Sequence, residues 1–258
     1  MSAVRLRFLG TGDAFGSGGR FQACILVEAD EGRVLLDCGA SSLIALKRAG
    51  IDPNTIDAIA VSHYHGDHFG GVPFFILDGQ FAKRERELVV AGPRGVEARV
   101  RDAFEALYPG SVETPRAFGP RYVDLEDGVA TAVGPARVTA LPVDHTPRTA
   151  AHGLRLELGG RTVAYSGDTA WTEALVALAD GTDAFVCECY ANLKEVPGHL
   201  SLRRLVDAPR RLGTARLILT HFGADMLEVG SVPWATLAHD GLVVTLDDAF
   251  GGPAVRLL

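Results

Sequence analysis

The chain has few cysteines and no excess of positive charge, and the shortage of positive charge narrows the classes of protein it can belong to. Its 258 residues include 32 acidic and 25 basic side chains, which gives a formal net charge of −7. A surface devoted to nucleic acid needs clustered Lys and Arg to neutralise phosphates, so the overall balance argues against that class. Two short stretches are locally basic, and we interpret both as solvated helix faces or loops: Arg203, Arg204, Arg210, Arg211 and Arg216, and Lys83, Arg84 and Arg86.

The four cysteines do not follow the spacing of a metal site. Cys187 and Cys189 have the period of two of a β-strand, whereas structural zinc sites use wider pairs and a second pair. We therefore expect both thiols in or near the core. No apolar run is long enough to span a membrane, and the first ten residues lack the apolar region of a secretory signal. These absences predict a cytoplasmic protein with reduced thiols.

Short apolar strands, glycine-rich turns and a few helices make up the rest of the pattern. Strands are predicted at 4–9, 23–29, 33–37, 56–61, 87–91, 130–133, 137–143, 154–158, 162–166, 184–188, 217–220, 242–245 and 254–257, and helices at 41–49, 72–81, 95–107, 171–178 and 200–211. Strands followed by helices, twice over, suit two sheets packed between helices. No low-complexity linker divides the sequence, so we expect one domain over residues 1–258.

The segment Gly10–Gly16 nearly matches the dinucleotide-binding fingerprint G-x-G-x-x-G, with one residue extra. A dinucleotide site requires a helix that begins at this point, because the helix amides bind the pyrophosphate. Here the sequence continues as a loop into a predicted hairpin. We therefore do not expect a nucleotide cofactor.

Three histidines and one aspartate occur within the six residues His63–His68. Imidazole and carboxylate groups are the usual ligands of Zn²⁺ and related divalent ions. The period of two of a strand would place His63 and His65 on one side, and a turn at Gly66 would bring Asp67 and His68 back towards them. Four such ligands are too many for one tetrahedral ion that also needs an open position for catalysis. The segment therefore predicts two neighbouring metal ions.

Further candidate ligands stand at the ends of later predicted strands. His145 follows one strand, Asp168 lies between a strand and a helix, and His221 ends an apolar strand. Side chains at strand ends are held rigidly by the sheet, as a metal site requires. We predict that these three residues complete the site.

The segment His-x-His-x-Asp-His, followed in order by His145, Ser-Gly-Asp168-Thr and Leu-Thr-His221, resembles the metallo-β-lactamase superfamily of metallohydrolases over nearly the whole chain. The resemblance implies an α/β fold of four layers, αβ/βα, with two mixed β-sheets packed between helices. It also implies two ligand sets, with Asp168 bridging the ions: His63, His65 and His145 for the first ion, and Asp67, His68 and His221 for the second.

Other positions match or depart from the superfamily in informative ways. Asp37 occupies a position where the superfamily often has an aspartate that orients a ligating histidine. At position 168, an aspartate in place of the cysteine of many true β-lactamases looks more like the members that act on esters. With two divalent ions, expected to be zinc with manganese as the alternative, the predicted reaction is hydrolysis at a phosphorus or carbonyl centre.

Within the superfamily the chain looks most similar to the ribonuclease Z-like branch, through Phe-Leu-Gly-Thr-Gly at the start, Leu-Leu-Asp-Cys-Gly, and Pro-Gly-His199-Leu-Ser. In that branch a histidine before the last ligand protonates the leaving alkoxide. The resemblance therefore assigns His199 as general acid, Glu188 as the residue that orients it, and Asp67 as a catalytic residue as well as a ligand. The residues after His199 depart from the family, because Leu-Arg-Arg-Leu stands where small residues are usual.

The interval between His145 and Asp168 has room for two strands and a turn, and none for the tRNA-gripping arm of long-armed tRNA-processing enzymes. Together with the acidic charge, this disfavours tRNA 3′-end maturation, although an enzyme that grips RNA through a partner subunit stays open. A small phosphodiester, such as a cyclic nucleotide or cyclic sugar phosphate, is the expected substrate. Arg148 and Thr149 are the candidates to bind its phosphate.

Two other classes of function remain open at this point. A lactonase or thioesterase would use the same centre on a carboxylic ester, and a metal-bound carrier or sensor would bind a ligand without turnover. A complete ligand set argues against the carrier, which has no need of a water-activating centre. Dimers are common in the branch that the chain resembles, so a homodimer is a further hypothesis. The apolar stretch at 72–77 could serve its interface, but we favour a place in the core.

Overall fold

The computed structural model describes residues 3–247 and builds them around two seven-stranded β-sheets. The first sheet has the order β14-β1-β2-β3-β4-β5-β6, with β1 Val4–Gly10, β2 Cys24–Ala29, β3 Gly32–Leu36, β4 Ala58–Ala60, β5 Leu88–Gly92, β6 Pro120–Asp124 and β14 Val243–Leu246. The second has the order β13-β12-β11-β10-β9-β8-β7, with β7 Thr131–Val133, β8 Ala136–Pro142, β9 His152–Leu158, β10 Arg161–Tyr165, β11 Ala184–Glu188, β12 Leu217–Thr220 and β13 Thr236–Leu237. The strand predicted at 254–257 lies outside the described residues.

Six α-helices accompany the sheets in the described part of the chain: α1 Ser42–Arg48, α2 Gly66–Phe69, α3 Val72–Phe81, α4 Val96–Leu107, α5 Glu173–Ala179 and α6 Leu202–Leu205. None of the helices within residues 3–247 is long and apolar enough to cross a membrane. Helices α1, α3 and α4 cover the outer face of the first sheet, and α5 covers that of the second.

The two sheets repeat the same mixture of strand directions. In the first, β1 pairs antiparallel with β2 and β14 and β2 pairs antiparallel with β3, whereas β3, β4, β5 and β6 run parallel. In the second, β7, β8, β9 and β10 alternate in direction, and β10, β11, β12 and β13 run parallel. Because parallel strands end at the same edge of a sheet, residues that follow β3, β4, β10, β11 and β12 can be brought together.

The hydrophobic core is divided into three layers by the two sheets. Inward-facing residues of both sheets form the central layer, as Leu6 and Leu156 do. The alternate residues of the first sheet, such as Leu26, pack on α1, α3 and α4, and those of the second sheet, such as Phe185, pack on α5 and α6. Alternation along each strand explains the arrangement, since successive side chains point to opposite faces. The predicted four-layer αβ/βα fold is confirmed.

One predicted helix is wrong in its extent. Residues 200–211 form only the short helix α6 and a separate 3₁₀ turn at Ala208–Arg210, in place of one continuous helix. Pro209 explains the break, because it has no backbone N–H and its ring clashes with the preceding turn. The strands β6 and β13 are absent from the prediction because their residues lack a continuous apolar run.

The strand β4 ends at Ala60, three residues before the first predicted metal ligand. His63 therefore lies in a loop, and His65 is the residue that precedes helix α2. The prediction that strand alternation places His63 and His65 on one side was wrong. Helix α2, rather than a turn at Gly66, brings Asp67 and His68 back towards them.

Other sequence expectations can be compared directly with burial. Cys187 and Cys189 are fully buried, as predicted, and most of the stretch at 72–77 lies in the core under the first sheet. Arg84 contradicts the expectation of a solvated basic stretch, because it is buried and its guanidinium donates to the backbone carbonyls of Ile56 and Glu87. These backbone carbonyl oxygens need hydrogen-bond donors, and Arg84 supplies them although the neighbouring residues of its loop are exposed.

Candidate metal centre

The candidate metal centre lies where the carboxyl ends of the parallel strands of both sheets meet. The segment His63–His68 follows β4, Asp168 follows β10, and His221 follows β12 directly. His145 enters from the loop after β8. The structure brings all seven predicted ligands into two groups whose ligand atoms lie within 4.8 Å of one another, with Asp168 a member of both.

The first group contains three histidines whose ring nitrogens converge. His65 Nδ1 lies 3.2 Å from His63 Nε2 and 3.1 Å from His145 Nε2. Asp168 Oδ2 lies 3.8 Å from His63 Nε2. These atoms surround one point, as ligands of a single ion do.

The second group is more deeply buried. His68 Nε2 lies 3.3 Å from His221 Nε2 and 3.3 Å from Asp67 Oδ2. Asp168 Oδ1 lies 3.3 Å from His68 Nε2 and 3.5 Å from His221 Nε2. The carboxylate of Asp168 thus turns one oxygen to each group, which is the arrangement that a bridging ligand needs.

The remaining ring nitrogens of three histidines have hydrogen-bond acceptors that fix their tautomers. His68 donates from Nδ1 to Asp37 Oδ2 at 2.7 Å, and His145 donates from Nδ1 to the carbonyl of Gly198 at 2.7 Å. His63 Nδ1 lies 3.0 Å from Ser62 Oγ, whose own proton goes to Asp37 Oδ2. In each case the Nε2 lone pair is left facing the centre, as metal ligation requires.

The distances in the centre fit divalent metal ions better than hydrogen bonds among the ligands. Two nitrogens at the usual bond length from a tetrahedral zinc ion are about 3.3 Å apart, which matches the spacing of 3.1–3.3 Å between ring nitrogens. Asp168 Oδ1 is buried and has no hydrogen-bond partner among residues 3–247. A buried carboxylate oxygen without a donor is costly unless a cation compensates it.

Electrostatics give His63 and Asp168 the protonation states that metal ligands must have. Burial, the largest effect, lowers the pKa of His63 well below its usual value, so this imidazole is neutral. For Asp168, burial raises the pKa, but the charges of His221 and His68 outweigh it and lower the pKa well below its usual range. A neutral imidazole and an ionised carboxylate are the metal-binding forms. For His68 and His221, burial lowers the pKa, but the charges of nearby carboxylates, Asp168 above all, outweigh it and raise the pKa above its usual value, so both rings would release a proton when a metal ion binds.

Backbone strain is concentrated at the same place. Asp37 and His221 both have φ of 60°, in the left-handed region that few residues other than glycine adopt. Each directly follows a parallel strand, one in each sheet. Such conformations persist only where the surrounding structure holds them, and they cluster at functional sites.

His199 lies beside the centre and is held by Glu188. Its Nδ1 is 3.1 Å from Glu188 Oε1 and 4.0 Å from Asp168 Oδ2. Glu188 is fully buried and also accepts the backbone N–H of Thr169 at 2.6 Å. Burial lowers the pKa of His199, but the hydrogen bond and the charge of Glu188 outweigh it and raise the pKa above its usual value.

The two candidates for phosphate binding differ in their surroundings. Arg148 is exposed on the 3₁₀ turn at Pro147–Thr149 that follows His145. Thr149 is buried, and its hydroxyl donates to the carbonyl of Thr146 at 2.6 Å within the same turn. The proton of Thr149 is therefore used locally, whereas the guanidinium of Arg148 faces solvent.

Three residues of the site were missed by sequence reasoning. Ser62 links His63 to Asp37 through hydrogen bonds. Gly198 has φ of 76°, and a Cβ at this position would lie 2.9 Å from His145 Nδ1, which is too close. Tyr190 places its ring 4.8 Å from that of His199. Only the Pro-Gly before His199 carried a signal, because glycine is the usual residue where φ is positive.

Two solved structures are similar to this chain in fold, and a named relative is similar to it in sequence. The metallo-β-lactamase fold protein YhfI from Bacillus subtilis matches 94% of this chain and 99% of its own, with a TM-score of 0.74 and 21% identity. A diphosphatase of the PhnP family matches 95% and 98%, with a TM-score of 0.74 and 20% identity. A ribonuclease Z from Ignicoccus hospitalis is 28% identical over 87% of this chain and 89% of its own.

The fold and the two ligand groups together define a metal-dependent hydrolase of the metallo-β-lactamase fold, ribonuclease Z-like and of the phosphodiesterase type. Such an enzyme uses a divalent metal cofactor. A more specific likeness covers residues 4–233, which match the profile of the family described as Anti-Pycsar protein Apyc1. The chain belongs to that family.

Proposed function

We propose that this chain hydrolyses a small phosphodiester, such as a cyclic nucleotide or cyclic sugar phosphate, with two zinc ions. The ions would be held by His63, His65 and His145, by Asp67, His68 and His221, and by Asp168 between the two sets. The observation that carries the proposal is the carboxylate of Asp168, whose two oxygens face two different groups of ligand atoms. When bound, two such ions lower the pKa of water and stabilise the attacking and leaving oxygens of a displacement.

His199 is proposed to protonate the leaving oxygen. Its Nδ1 is held by Glu188, so its Nε2 is the atom that can donate a proton to the substrate. The raised pKa increases the fraction of the imidazole that is protonated and able to act as an acid. A phosphodiester needs this help most when its leaving group is an unactivated alkoxide.

Features around the centre favour a small, anionic substrate. The segment from His145 to Asp168 contains β9, β10 and their short connections, with no protruding arm among these residues. Arg148 is exposed next to His145, and its planar guanidinium can bind two phosphate oxygens. The single domain, the cytoplasmic location and the homodimer that the sequence suggests remain predictions.

RNA is the second candidate substrate. It is favoured by one observation, the ribonuclease Z name of relatives that align over most of this chain. The net charge of −7 and the short segment before Asp168 oppose it, because a polyanion needs many cationic contacts. A partner subunit would have to supply them.

The test compares substrates on protein that has been stripped of metal and reloaded with Zn²⁺ or Mn²⁺. Bis(p-nitrophenyl) phosphate, a cyclic nucleotide, a matched lactone and a tRNA precursor are offered in parallel, with metal content measured on each sample. The variant Asp168→Ala should lose bound metal and activity together, because it removes a ligand from both groups. His239→Ala, at an exposed histidine outside the centre, is the matched control.

Turnover of the phosphodiester and the cyclic nucleotide, abolished in Asp168→Ala and kept in His239→Ala, is the expected result. Turnover of the lactone alone would move the enzyme to carboxylic-ester chemistry, and cleavage of the tRNA precursor alone would favour the second candidate. Two metal equivalents retained by Asp168→Ala would contradict the bridging role.

A further inference from the structure

A cavity of about 280 Å³ lies between α3, α4 and β6, the edge strand of the first sheet. Two arginines, one glutamate and one tyrosine line it together with five apolar residues: Ile76, Val100, Phe104, Val112 and Pro120. Small-molecule sites are typically apolar cavities with a few polar groups, and this volume lies near the lower end of their range. None of the seven predicted metal ligands lines this cavity, so it is separate from the metal centre.

Three of the four polar side chains lie at one end of the cavity. A second cavity, of about 460 Å³, shares Glu97, Arg101 and Tyr122 with the first. These three residues therefore stand at the boundary between the two cavities, whereas the five apolar residues line the first cavity only. A ligand that fills the first cavity would place its apolar body among those five residues and its polar group at the boundary.

Two residues at the boundary have hydrogen-bond donors that a ligand can use. The hydroxyl of Tyr122 has no hydrogen-bond partner among residues 3–247. Burial, the largest effect, raises the pKa of Tyr122 to about 12, so this hydroxyl keeps its proton at neutral pH. Arg101 pairs through Nη2 with Glu113, and its Nε and Nη1 have no partner in the described part of the chain. Because these two side chains are 44% and 80% exposed, the ion pair is weak and leaves Arg101 available to a ligand.

Arg116 brings a positive charge to the cavity that is not paired with a carboxylate. Its guanidinium lies 5.0 Å from the ring centroid of Phe104, and it donates to the backbone carbonyls of Ser111 and Thr114 at 2.6 and 3.2 Å. No carboxylate of residues 3–247 forms an ion pair with it, and its Nε is buried without a hydrogen-bond partner in that part of the chain. Burial, the largest effect, lowers the pKa of Arg116. A partly buried cation of this kind is stabilised by an anion bound nearby.

We propose that this cavity binds a small organic carboxylate with a compact apolar body. The body packs in the apolar part of the cavity, and the carboxylate accepts hydrogen bonds from Tyr122 and Arg101. Its charge offsets that of Arg116. Glu97 lines the same boundary and favours one negative charge over the two of a phosphate monoester, because like charges repel. The inference goes beyond the proposed function and does not depend on it.

The test titrates 2-naphthoate into the zinc-loaded protein and follows binding by calorimetry and by NMR of the isoleucine and valine methyl groups. 2-Naphthamide, which has the same ring system without the charge, is the matched ligand. The methyl groups of Ile76, Val100 and Val112 report on the cavity. Ile44, an exposed residue of α1, reports on a surface outside it. Val143, two residues from His145, reports on the metal centre, to which a carboxylate can also bind.

Four variants separate the contributions to binding. Tyr122→Phe removes the hydroxyl and keeps the ring, and Arg116→Gln removes the charge. Arg121→Gln is the matched control, because Arg121 pairs with Glu87 and lies outside the cavity lining. Val112→Phe places a larger side chain in the cavity wall and should exclude both ligands.

2-Naphthoate should shift the methyl signals of the cavity, leave that of Ile44 unchanged, and bind about 10-fold more tightly than 2-naphthamide, since hydrogen bonds to a charged group are stronger. Tyr122→Phe and Arg116→Gln should each weaken the binding of 2-naphthoate about 5- to 10-fold and that of 2-naphthamide less. Arg121→Gln should bind both ligands as the wild type does, and Val112→Phe should bind both weakly.

Equal affinities of the wild type for the two ligands would overturn the carboxylate site, as would an unchanged affinity for 2-naphthoate in Tyr122→Phe. Shifts at Val143 without shifts at Val100 would place the binding at the metal centre and also overturn it. An absence of shifts at millimolar 2-naphthoate would have the same meaning. Tyr122→Phe keeps the test decisive if Arg116→Gln fails to fold, because it changes no charge and preserves the ring.

Discussion

Replacement of Asp37 by asparagine tests the reasoning about the metal centre most directly. The carboxylate of Asp37 is fully buried and accepts three hydrogen bonds of 2.7–2.8 Å, from Ser62 N, Ser62 Oγ and His68 Nδ1. Asparagine has nearly the same shape and tolerates the positive φ of this position, so the backbone should be preserved. The change therefore alters hydrogen bonding and charge with little steric effect.

The amide of asparagine cannot replace both carboxylate oxygens as acceptors. If its NH₂ group takes the place of Oδ2, it faces the Nδ1–H of His68, and this ring must move its proton to Nε2, the atom that should bind metal. If the NH₂ group takes the place of Oδ1, it faces the backbone N–H of Ser62 and that bond is lost. Either orientation also removes the negative charge beside His68.

Loss of such an orienting partner costs about 10- to 100-fold in metal affinity or activity, which is about 1.4–2.8 kcal/mol. The affinity of each binding step can be measured by zinc titration against a chromophoric chelator. We expect the larger loss at the group that contains His68. A smaller loss should reach the other group, since Ser62 Oγ also lies 3.0 Å from His63 Nδ1.

Asp127→Asn is the matched control for this experiment. Asp127 Oδ1 lies 2.8 Å from the Nε2 of His152, a histidine outside both ligand groups. The control therefore weakens an Asp–His pair without touching the centre and should leave both zinc affinities unchanged. Two zinc equivalents bound by Asp37→Asn with the wild-type affinities would refute the argument.

Two further predictions concern the neighbours of the centre. Glu188→Gln should shift the alkaline limb of the pH profile of kcat/KM to lower pH. A general acid is active below its pKa, and this variant removes the charge that raises the pKa of His199. An alkaline limb that does not move would exclude His199 as the acid. Gly198→Ala should lower thermal stability and zinc affinity together, because the new Cβ would lie 2.9 Å from His145 Nδ1 and φ is 76°. Gly110→Ala is the control, since Gly110 has φ of 77° and open space around it. This control should lower stability only by the backbone strain of about 1–2 kcal/mol and keep full zinc affinity.

Local sequence was sufficient for most of the elements. Runs such as Ala184–Glu188 and Leu217–Thr220 form strands with the predicted bounds, and α3 begins and ends as predicted at Val72 and Phe81. These segments are buried and strongly apolar, so their pattern and their packing agree. Prediction failed where one residue decides the outcome, as Pro209 does when it divides the helix predicted at 200–211.

The sequence also determined which side chains are candidates for metal binding, because ligand chemistry depends on residue type and spacing. It could not show how those side chains are oriented. Asp37, 31 residues away in the chain, accepts a hydrogen bond from His68 Nδ1 and so orients the Nε2 of that ring. The hydrogen bond from His145 to the carbonyl of Gly198 spans 53 residues. Such pairs have no sequence periodicity.

The residue pattern alone therefore predicts most of the strands, the order of the ligand residues and the resemblance that these carry. The tertiary structure alone decided that the carboxyl ends of parallel strands from two sheets meet, so that Asp168 turns one oxygen to each ligand group. The physical reason is that side-chain alternation and apolar periodicity are local properties, whereas the pairing of two sheets depends on packing over the whole core.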